Sequence, residues 1–347
     1  MLTEHPGTRE ARVRFSVIGI DHGHIYGMSD AIIRGGGEMV SFHAADDALA
    51  AEFAKKYPQA RRVAAEREIL EDETIALVLS SIIPVQRAPL GIRVMEHGKD
   101  FVVDKPGVTT LDQLAHVRRI QAASHRMYSI CYSERFENRA TVKAAELARS
   151  GAIGKVIQTI GLGPHRVSPS TRAPWFWDPS QFGGIICDIG SHQFDQFLYF
   201  TGSTKASVVS SQIANVRHKE HPAFQDFGDV VVRGDKGVGY VRLDWFTPDG
   251  LPTWGDTRLT VLGADGFMEI RKNVDLAGRN GANHLFITDA KGVRYEDCSA
   301  VELPWGRQIV DDVLNRTETA MTQTHCFLAT QIALEAQHAA QHVVLAD

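Results

Sequence analysis

The chain has 347 residues, a length at which single hydrophobic cores have usually stopped growing, so two domains are expected. Hydrophobic residues make up 44% of the sequence and charged residues 23%, and no apolar stretch approaches the roughly 20 residues that a membrane span needs. The net charge of −5, without any basic run, argues against nucleic acid as a partner.

The cysteines and the N-terminus predict a cytoplasmic protein. The opening residues MLTEHPGTREARVR contain no apolar segment of the kind found in secretory signals. The four cysteines lie far apart without a CxxC pair, which is typical of reduced cytosolic thiols. They are Cys131, Cys187, Cys298 and Cys326.

The first 131 residues alternate β-rich runs with helical patterns. The predicted strands are VRFSVIG (13–19), MVSFH (39–43), IALVLSS (75–81), FVVD (101–104) and MYSIC (127–131). Helical patterns lie between them, and Thr110 with Gln113 fits a capping box that opens a helix reaching about residue 124. Strands that alternate with helices predict right-handed crossovers and a parallel sheet.

The pattern changes after residue 131. A helical run over residues 135–150 leads into a strand-rich region with VIQTIGL, ASVVSSQIANV, DVVVRG, GVGYVRLDWF, RLTVLG, FMEIRK and HLFITD. Short DKG, ADG and AKG turns predict an antiparallel sheet with one covered face, and a last helix is expected over about residues 319–341. We therefore predict an α/β domain over residues 10–131 and an α+β domain over residues 132–347.

A dinucleotide-binding loop is expected after the first strand, where residues 19–24 read GIDHGH. The G-x-G-x-x-G fingerprint needs glycines for a tight turn and for close approach of backbone to pyrophosphate. Only Gly19 fits, because Asp21 and His24 replace the second and third glycines and Gly23 is out of register. Asp21 would repel a pyrophosphate unless it turns away to cap the next helix, whereas His22 and His24 would donate to phosphate oxygens at the helix N-terminus. The alternative is an ordinary capped helix start.

The end of the second predicted strand normally supplies an acid that binds the adenosine ribose. The sequence offers Ala44 and, two residues later, Asp46, with no arginine that would favour a 2′-phosphate. Asp46 therefore favours NAD over NADP, although Ala44 stands where an acid is expected.

A second candidate site element lies at residues 183–195, which read GGIICDIGSHQFD. Asp188 and His192 are four residues apart and would share one face of a helix. A histidine of near-neutral pKa beside a carboxylate suits a general base, but the same spacing also describes an ordinary helix-surface pair. Two ligands are too few for a metal. His22 and His24 could add to them, but no HExxH or Cys/His set supports a site, so no metal site is predicted.

The FVVDKPG segment places Lys105 at the carboxyl end of a predicted parallel strand, where open α/β sheets bind ligands. Pro106 stops the strand, and a cis Lys-Pro bond would fix the direction of the lysine. An ammonium there would stabilise alkoxide character on a substrate oxygen. The alternative is a solvated strand-end lysine.

These segments together resemble the Gfo/Idh/MocA oxidoreductase family, which includes glucose-fructose oxidoreductase and inositol dehydrogenase. DKP (104–106) is similar to the family's EKP motif, GGIICDIGSHQFD to its G-G-G-x-x-x-D-x-G-x-H-x-x-D segment, and SERFENRATVKAAELARSGAIGKV (133–156) to the first stretch after its nucleotide domain. The resemblance covers nearly the whole chain. It implies a Rossmann domain followed by an α+β domain with a large open, mostly antiparallel sheet, whose exposed face would form a homodimer or homotetramer.

The resemblance also assigns roles by position. Lys105 would contact the substrate hydroxyl and the nicotinamide, Asp188 would bind and orient the substrate, and His192 would be the acid/base. The predicted cofactor contacts are Gly19, Asp21, His22, Gly23, His24, Ala44, Asp46, Ser81, Pro84, Asp104 and Lys105. The predicted substrate contacts are Lys105, Tyr132, His165, Arg166, Trp175, Asp188 and His192. Of these, the arginine would suit an anionic group and the tryptophan a sugar face, unless the tryptophan belongs to the core.

The predicted function is a dehydrogenase that uses NAD, or alternatively NADP, to oxidise a sugar, inositol or related polyol. One alternative is a redox-assisted lyase, glycosidase or epimerase that holds NAD tightly. Another is a non-catalytic sugar sensor, against which the joint presence of Lys105, Asp188 and His192 argues.

Overall fold

The computed structural model describes residues 13–344. Residues 1–12 and 345–347 lie outside the described residues. Most of the N-terminal segment in which no secretory signal was predicted, and the outer ends of the two predicted domains, fall on these residues. Within the described range, no helix has the length and apolar character that crossing a lipid bilayer requires.

The N-terminal part of the chain forms the predicted parallel sheet. Its six strands are ordered β3-β2-β1-β4-β5-β6, and each neighbouring pair is parallel. They are β1 (Arg14–Ile18), β2 (Glu38–His43), β3 (Arg61–Arg62), β4 (Leu77–Ser80), β5 (Asp100–Asp104) and β6 (Tyr128–Cys131). The strand order reverses between β1 and β4, which creates the switch point where such sheets bind ligands at their carboxyl ends.

Helices connect these strands and bury β4, β5 and β6 along their whole length. The helices are α1 (His24–Arg34), α2 (Asp47–Lys56), α3 (Arg67–Leu70), α4 (Pro84–Glu96) and α5 (Leu111–Ser124). Thr110 caps α5 as predicted, because its hydroxyl accepts the Gln113 N–H at 3.1 Å. The Gln113 side chain accepts from Thr109 rather than from the Thr110 N–H that a capping box uses.

The C-terminal part forms a nine-stranded sheet in the order β14-β13-β12-β11-β7-β10-β9-β8-β15. Its strands are β7 (Val156–Pro164), β8 (Ala206–Ala214), β9 (Phe227–Gly234), β10 (Val238–Asp244), β11 (Arg258–Gly263), β12 (Gly266–Arg271), β13 (His284–Asp289), β14 (Gly292–Asp297) and β15 (Gln341–His342). Only the β7–β10 and β8–β15 pairs are parallel, so the sheet is mostly antiparallel as predicted. Burial alternates along β7 and β9, which is typical of a sheet covered on one face.

Seven helices accompany this sheet in the described range, and α10 and α12 pack on its covered face. They are α6 (Ser133–Phe136), α7 (Arg139–Arg149), α8 (Pro179–Phe182), α9 (Ile185–Asp188), α10 (Gly190–Thr201), α11 (Trp305–Asn315) and α12 (Gln323–Ala339). Helix α12 also packs against α5 and β6, and the Gln323 side chain hydrogen-bonds the backbone of Tyr128. One hydrophobic core therefore runs beneath both sheets.

Two predicted element boundaries are wrong. The helix predicted over residues 135–150 is divided, because the Asn138 side chain accepts the Thr141 N–H and starts a new helix, α7. The last helix begins at Gln323 rather than near residue 319, because Thr322 caps it. Helix α11 and strand β14 were also missed; β14 is a short, largely exposed edge strand whose apolar side chains are only Val293 and Tyr295.

Candidate active site

Lys105 and Asp188 meet although they are 83 residues apart in the chain. Strand β5 ends at Asp104, and a cis peptide bond joins Lys105 to Pro106. The Lys105 ammonium, in a side chain only 6% exposed, donates to Asp188 Oδ1 at 2.9 Å. Burial alone would raise the pKa of Asp188, but the charge and hydrogen bond of Lys105 hold it below its ordinary value. The pair is therefore ionised at the carboxyl edge of the parallel sheet.

A buried arginine that the sequence analysis missed supports the Asp104–Pro106 segment. Arg87, on α4, donates to the backbone carbonyls of Asp104, Lys105 and Pro106 and to Asp104 Oδ2 at 3.1 Å. Its side chain is 1% exposed. One guanidinium thus fixes both the strand end and the carboxylate beside the lysine. The QRAPLG sequence around Arg87 gives no signal of this role, because it is typical of a helix.

His22 and His24 converge on the carboxylate of Asp104. His24 Nδ1 lies 2.8 Å from Asp104 Oδ1, and His22 Nδ1 lies 2.9 Å from Oδ2. The two imidazole rings are 4.3 Å apart and nearly perpendicular. Burial raises the pKa of Asp104, but the neighbouring His24, Arg87 and His22 outweigh it and hold that pKa well below the ordinary value. Burial and the neighbouring His24 lower the pKa of His22 to about 4, so His22 is neutral at physiological pH.

The conformation of the β1–α1 loop is set by Gly19 and by the start of α1. Gly19 has φ +77°, and a Cβ there would lie 2.5 Å from the Cβ of Ile82, so only glycine fits. Helix α1 begins after Gly23 without a side-chain cap. The alternative in which Asp21 caps this helix is therefore wrong; Asp21 stays partly buried, and burial raises its pKa.

The other predicted cofactor residues surround this loop. The Ser81 hydroxyl donates to the His22 carbonyl at 2.8 Å, and Pro84 is the first residue of α4. Ala44 is buried just after β2. Asp46 caps α2 by accepting the Leu49 N–H on Oδ1 at 2.9 Å, and its second carboxylate oxygen is left to accept a ribose hydroxyl.

His192 lies on α10 and is 2% exposed, but it does not pair with Asp188. The predicted carboxylate–imidazole pair on one helix face is absent from the described residues, because the Asp188 carboxylate binds Lys105 and no hydrogen bond joins it to the His192 imidazole. His192 Nδ1 is buried without a hydrogen-bond partner. Burial lowers the pKa of His192 to about 3, although the negative charge of Glu134 opposes this shift.

A buried polar network that the sequence analysis missed lies on the Glu134 side of His192. Lys272 Nζ donates to Glu134 Oε2 at 2.6 Å and to Gln196 Oε1 at 2.7 Å, and the Gln193 amide also donates to Glu134. Burial would raise the pKa of Glu134, but the Lys272 charge lowers it to about 2. Glu134 lies in the SERF segment, yet Lys272 is 138 residues away, so no local pattern could pair them.

The predicted substrate contacts outside these clusters are placed differently from one another. His165 is half-buried, and burial and the Lys105 charge lower its pKa to about 4, which sets it beside the Lys105–Asp188 pair. Trp175 is half-buried against the hydrophobic core. Arg166 donates through Nη2 to the carbonyls of Pro248 and Leu251, while its Nε is buried without a hydrogen-bond partner among the described residues, so its role as a substrate contact stays a prediction.

One predicted substrate contact, Tyr132, needs correction. It was expected at the edge of the pocket, but its ring is 1% exposed. Its hydroxyl is 3.3 Å from Thr330 Oγ1 on α12, and its ring lies 6.3 Å from that of His192. Tyr132 therefore packs behind His192 as part of the core.

Comparisons of the sequence and the fold with known proteins point to one family. A family model described as the GFO/IDH/MocA C-terminal domain matches residues 141–269. The crystal structure of a protein from Erwinia carotovora atroseptica SCRI1043, described provisionally as an oxidoreductase, is 43% identical with a TM-score of 0.93. The similarity covers 96% of this chain and 100% of that one. The chain belongs to the Gfo/Idh/MocA family of oxidoreductases.

Other relatives of this Gfo/Idh/MocA protein are more distant. A Bacillus subtilis scyllo-inositol 2-dehydrogenase (NAD(+)) is 24% identical over 66% of this chain and 63% of its own length. The Bacillus subtilis NADP(+)-dependent scyllo-inositol 2-dehydrogenase IolW is 26% identical over 45% of this chain and 43% of its own length. The chain thus matches less than two thirds of the length of either relative. The structure of levoglucosan dehydrogenase with NADH and levoglucosan superposes with a TM-score of 0.80 at 16% identity, covers 95% of this chain and 97% of that one, and supports the fold.

Proposed function

We propose that this Gfo/Idh/MocA protein is an NAD(P)-dependent dehydrogenase that oxidises a hydroxyl-bearing carbon of a sugar, inositol or related polyol. The observation that carries the proposal is the buried Lys105–Asp188 ion pair at the carboxyl edge of the parallel sheet. A buried ammonium at a ligand-binding edge suits a substrate oxygen that gains negative charge. The named substrates of the relatives, scyllo-inositol and levoglucosan, support the substrate class.

The described residues fit a bound dinucleotide. The Gly19 turn, which excludes any side chain, allows close backbone approach, and the N-terminus of α1, which has no side-chain cap, offers the positive end of a helix to a pyrophosphate. Both lie beside the switch point between β1 and β4. When bound, the nicotinamide supplies a hydride acceptor. Asp46 favours NAD, because an acid after the second strand suits an unphosphorylated ribose.

The chain's own residues then have separable tasks. Lys105 donates hydrogen bonds to the substrate oxygen and stabilises its developing charge, while Asp188 accepts a hydrogen bond from the ammonium and orients it. His192, neutral because burial lowers its pKa, accepts the hydroxyl proton. Arg87 holds the Asp104–Pro106 backbone so that the lysine direction is fixed.

Replacement of Lys105 by methionine tests the proposal. Lys105→Met should lower kcat by at least about 100-fold, because it removes the only charged donor proposed to face the oxyanion. Dinucleotide binding, followed by thermal shift with NAD⁺ and NADP⁺, should survive. Lys155→Met is the matched control, since Lys155 is exposed and remote from the site. Unchanged turnover in Lys105→Met would contradict the role of the lysine.

The activity itself is measured with a panel of sugars, inositols and other polyols, by the appearance of NADH or NADPH absorbance. We expect net reduction of the dinucleotide with at least one polyol. A protein whose melting temperature neither dinucleotide raises, and which reduces neither with any member of the panel, would overturn the proposed function.

The proposal includes a cytoplasmic homodimer or homotetramer formed through the open face of the nine-stranded sheet. Strand register aligns Leu262, Phe267, Thr288 and Val293 in one row across β11 to β14 on this face. The three apolar members are 39%, 41% and 76% exposed, in chain order. Such a row is typical of a surface covered by a partner. All four cysteines are buried free thiols, which supports a reducing compartment.

A further inference from the structure

We propose that His22, His24 and Asp104 bind one divalent cation of the zinc class. The three ligand atoms, one from each residue, lie within 4.8 Å of one another. The two imidazoles approach different oxygens of one carboxylate, and their rings are nearly perpendicular, so one ion can lie near both Nδ1 atoms. Two imidazoles and one carboxylate are a common ligand set for Zn²⁺, Fe²⁺ and Co²⁺, and they leave coordination positions open for a small ligand.

Hydrogen bonding alone does not account for this cluster. His24 Nδ1 forms a hydrogen bond with Asp104 Oδ1, but His22 Nδ1, although 2.9 Å from Oδ2, is out of line for one. It remains a buried nitrogen without a hydrogen-bond partner among the described residues. A buried imidazole nitrogen without a partner is destabilising, and coordination of a cation would satisfy its lone pair.

The surroundings hold the ligands in place, as the outer shell of a metal site does. Arg87 donates to Asp104 Oδ2 and so orients the carboxylate while leaving Oδ1 to face His24. The Ser81 hydroxyl donates to the His22 carbonyl and fixes the loop that carries both histidines. His24 is the first residue of α1, so its backbone is also fixed.

The proposed role of the ion rests on the proposed function. The cluster occupies the loop in which Asp21 and His24 replace two fingerprint glycines, at the position where a dinucleotide pyrophosphate lies. A cation there binds phosphate oxygens and removes the repulsion between Asp21 and the pyrophosphate. Cation and dinucleotide should therefore strengthen each other's binding by the same factor.

The test uses the full-length protein freed of metal by a chelator and titrated with Zn²⁺ by calorimetry and with Co²⁺ by visible absorption. We expect one ion per chain, a Co²⁺ spectrum that Zn²⁺ abolishes, and at least about tenfold weaker binding in His24→Asn. His97→Asn is the matched control, because His97 is an exposed histidine on the opposite end of α4. Thermal melting confirms that each variant is folded, and Asp104→Asn provides a second ligand variant.

Absence of stoichiometric binding, or equal binding by wild type and His24→Asn, would overturn the cation site. Ion binding is measured without dinucleotide, and NAD⁺ binding is measured with and without Zn²⁺. We expect about tenfold tighter NAD⁺ binding with the ion. Equal NAD⁺ affinity would overturn the pyrophosphate role. If the protein binds NAD⁺ and turns over substrate in the presence of chelator, and no cation site is found, the proposed function stands and only this inference fails.

Discussion

Two acids beside Lys105 have different surroundings and different tasks. Asp188 accepts a hydrogen bond from the Lys105 ammonium. Asp104 instead accepts one from Arg87 and lies next to His22 and His24. Neighbouring cations keep the pKa of each carboxyl below its ordinary value. At the residue scale, the site therefore separates the group that orients the lysine from the group that orients the loop.

His192 differs from the histidine that the sequence predicted, because its pKa is far from neutral. Burial lowers the pKa to about 3, and a lowered histidine pKa means that the neutral, proton-accepting form persists until the pH falls toward that value. We expect kcat/KM to show no His192-dependent acid limb between about pH 5 and 8. His192→Asn should lower kcat by about 10²–10⁴ without changing the shape of the pH profile in this range.

The pH–rate profiles of wild type and His192→Asn provide the measurement. A wild-type acid limb with an apparent pKa of about 6.5 that disappears in the variant would contradict this expectation. It would support the near-neutral pKa that the sequence predicted for His192.

Glu134 is expected to contribute stability that depends on pH. Its pKa is lowered from 4.5 to about 2 in the folded protein, so the contribution is present above the unfolded value and is lost as the pH falls between the two. Glu134→Gln should lower the free energy of unfolding by about 3 kcal/mol at neutral pH, because it leaves the Lys272 ammonium buried and unpaired.

Urea unfolding at neutral pH and at several acid pH values measures this effect. The difference between wild type and Glu134→Gln should shrink as the pH falls below about 4.5. Glu146→Gln is the matched control, because Glu146 pairs with Lys143 at 2.9 Å on the surface and should change stability by less than about 1 kcal/mol. A difference of equal size at all pH values would show that Glu134 stabilises by shape rather than by charge.

At the scale of elements, the turn from β1 into α1 is governed by backbone conformation. Gly19 has a positive φ and no room for a Cβ, whereas Gly23 has φ −62° and no atom within 4 Å of a built Cβ. Two glycines of one loop are therefore required to different degrees. The dinucleotide fingerprint predicted the need for Gly19. It gave no reason for Gly23, which is out of register with the fingerprint.

A pair of alanine substitutions measures this difference. Gly19→Ala should lower the free energy of unfolding by at least about 1–2 kcal/mol, because a left-handed backbone and a contact with Ile82 both penalise the methyl group. Gly23→Ala should change it by only a few tenths of a kcal/mol. Thermal and urea unfolding of both variants provide the comparison, and equal losses would show that the turn does not depend on the conformation of Gly19.

The elements predicted wrongly have two different physical causes. The Asn138 side chain caps α7 inside a segment that the sequence predicts as one helix, so a local hydrogen bond overrides an uninterrupted helical pattern. Strand β14 pairs only with β13, at the sheet edge, and Val293 and Tyr295 are its only apolar side chains, so its alternation is too short to predict a strand. Long periodic segments such as α5 were predicted closely, because the capping Thr110 and the apolar spacing agree.

At the scale of the whole molecule, the open face of the nine-stranded sheet tests the proposed oligomer. Phe267→Glu should convert the oligomer to a smaller species, because it places a charge in the apolar row shared with Leu262 and Val293. Light scattering after size-exclusion chromatography measures the mass. Leu276→Glu is the control, since Leu276 is 59% exposed in a loop outside the row. An unchanged mass in Phe267→Glu, or a monomeric wild type, would contradict the proposed interface.

The sequence by itself determined the two kinds of sheet and two of the residues that meet at the proposed site. Alternation of strands with helices, and then of strands with short turns, is local information, and the confirmed fold follows from it. Lys105 and Asp188 were found because each lies in a compact motif. The specific substrate stays a prediction.

Only the tertiary structure decided which side chains share an environment. His24 reaches Asp104 across 80 residues and Glu134 reaches Lys272 across 138, so no spacing in the sequence joins them. The sequence predicted no metal site because Asp188 and His192 supply only two ligands and no HExxH or Cys/His set was present; the proximity of His22 and His24 to Asp104 is visible only in the folded chain. Burial is likewise a property of the packed molecule, and burial is what shifts the pKa of His192 away from the value that its sequence context predicts.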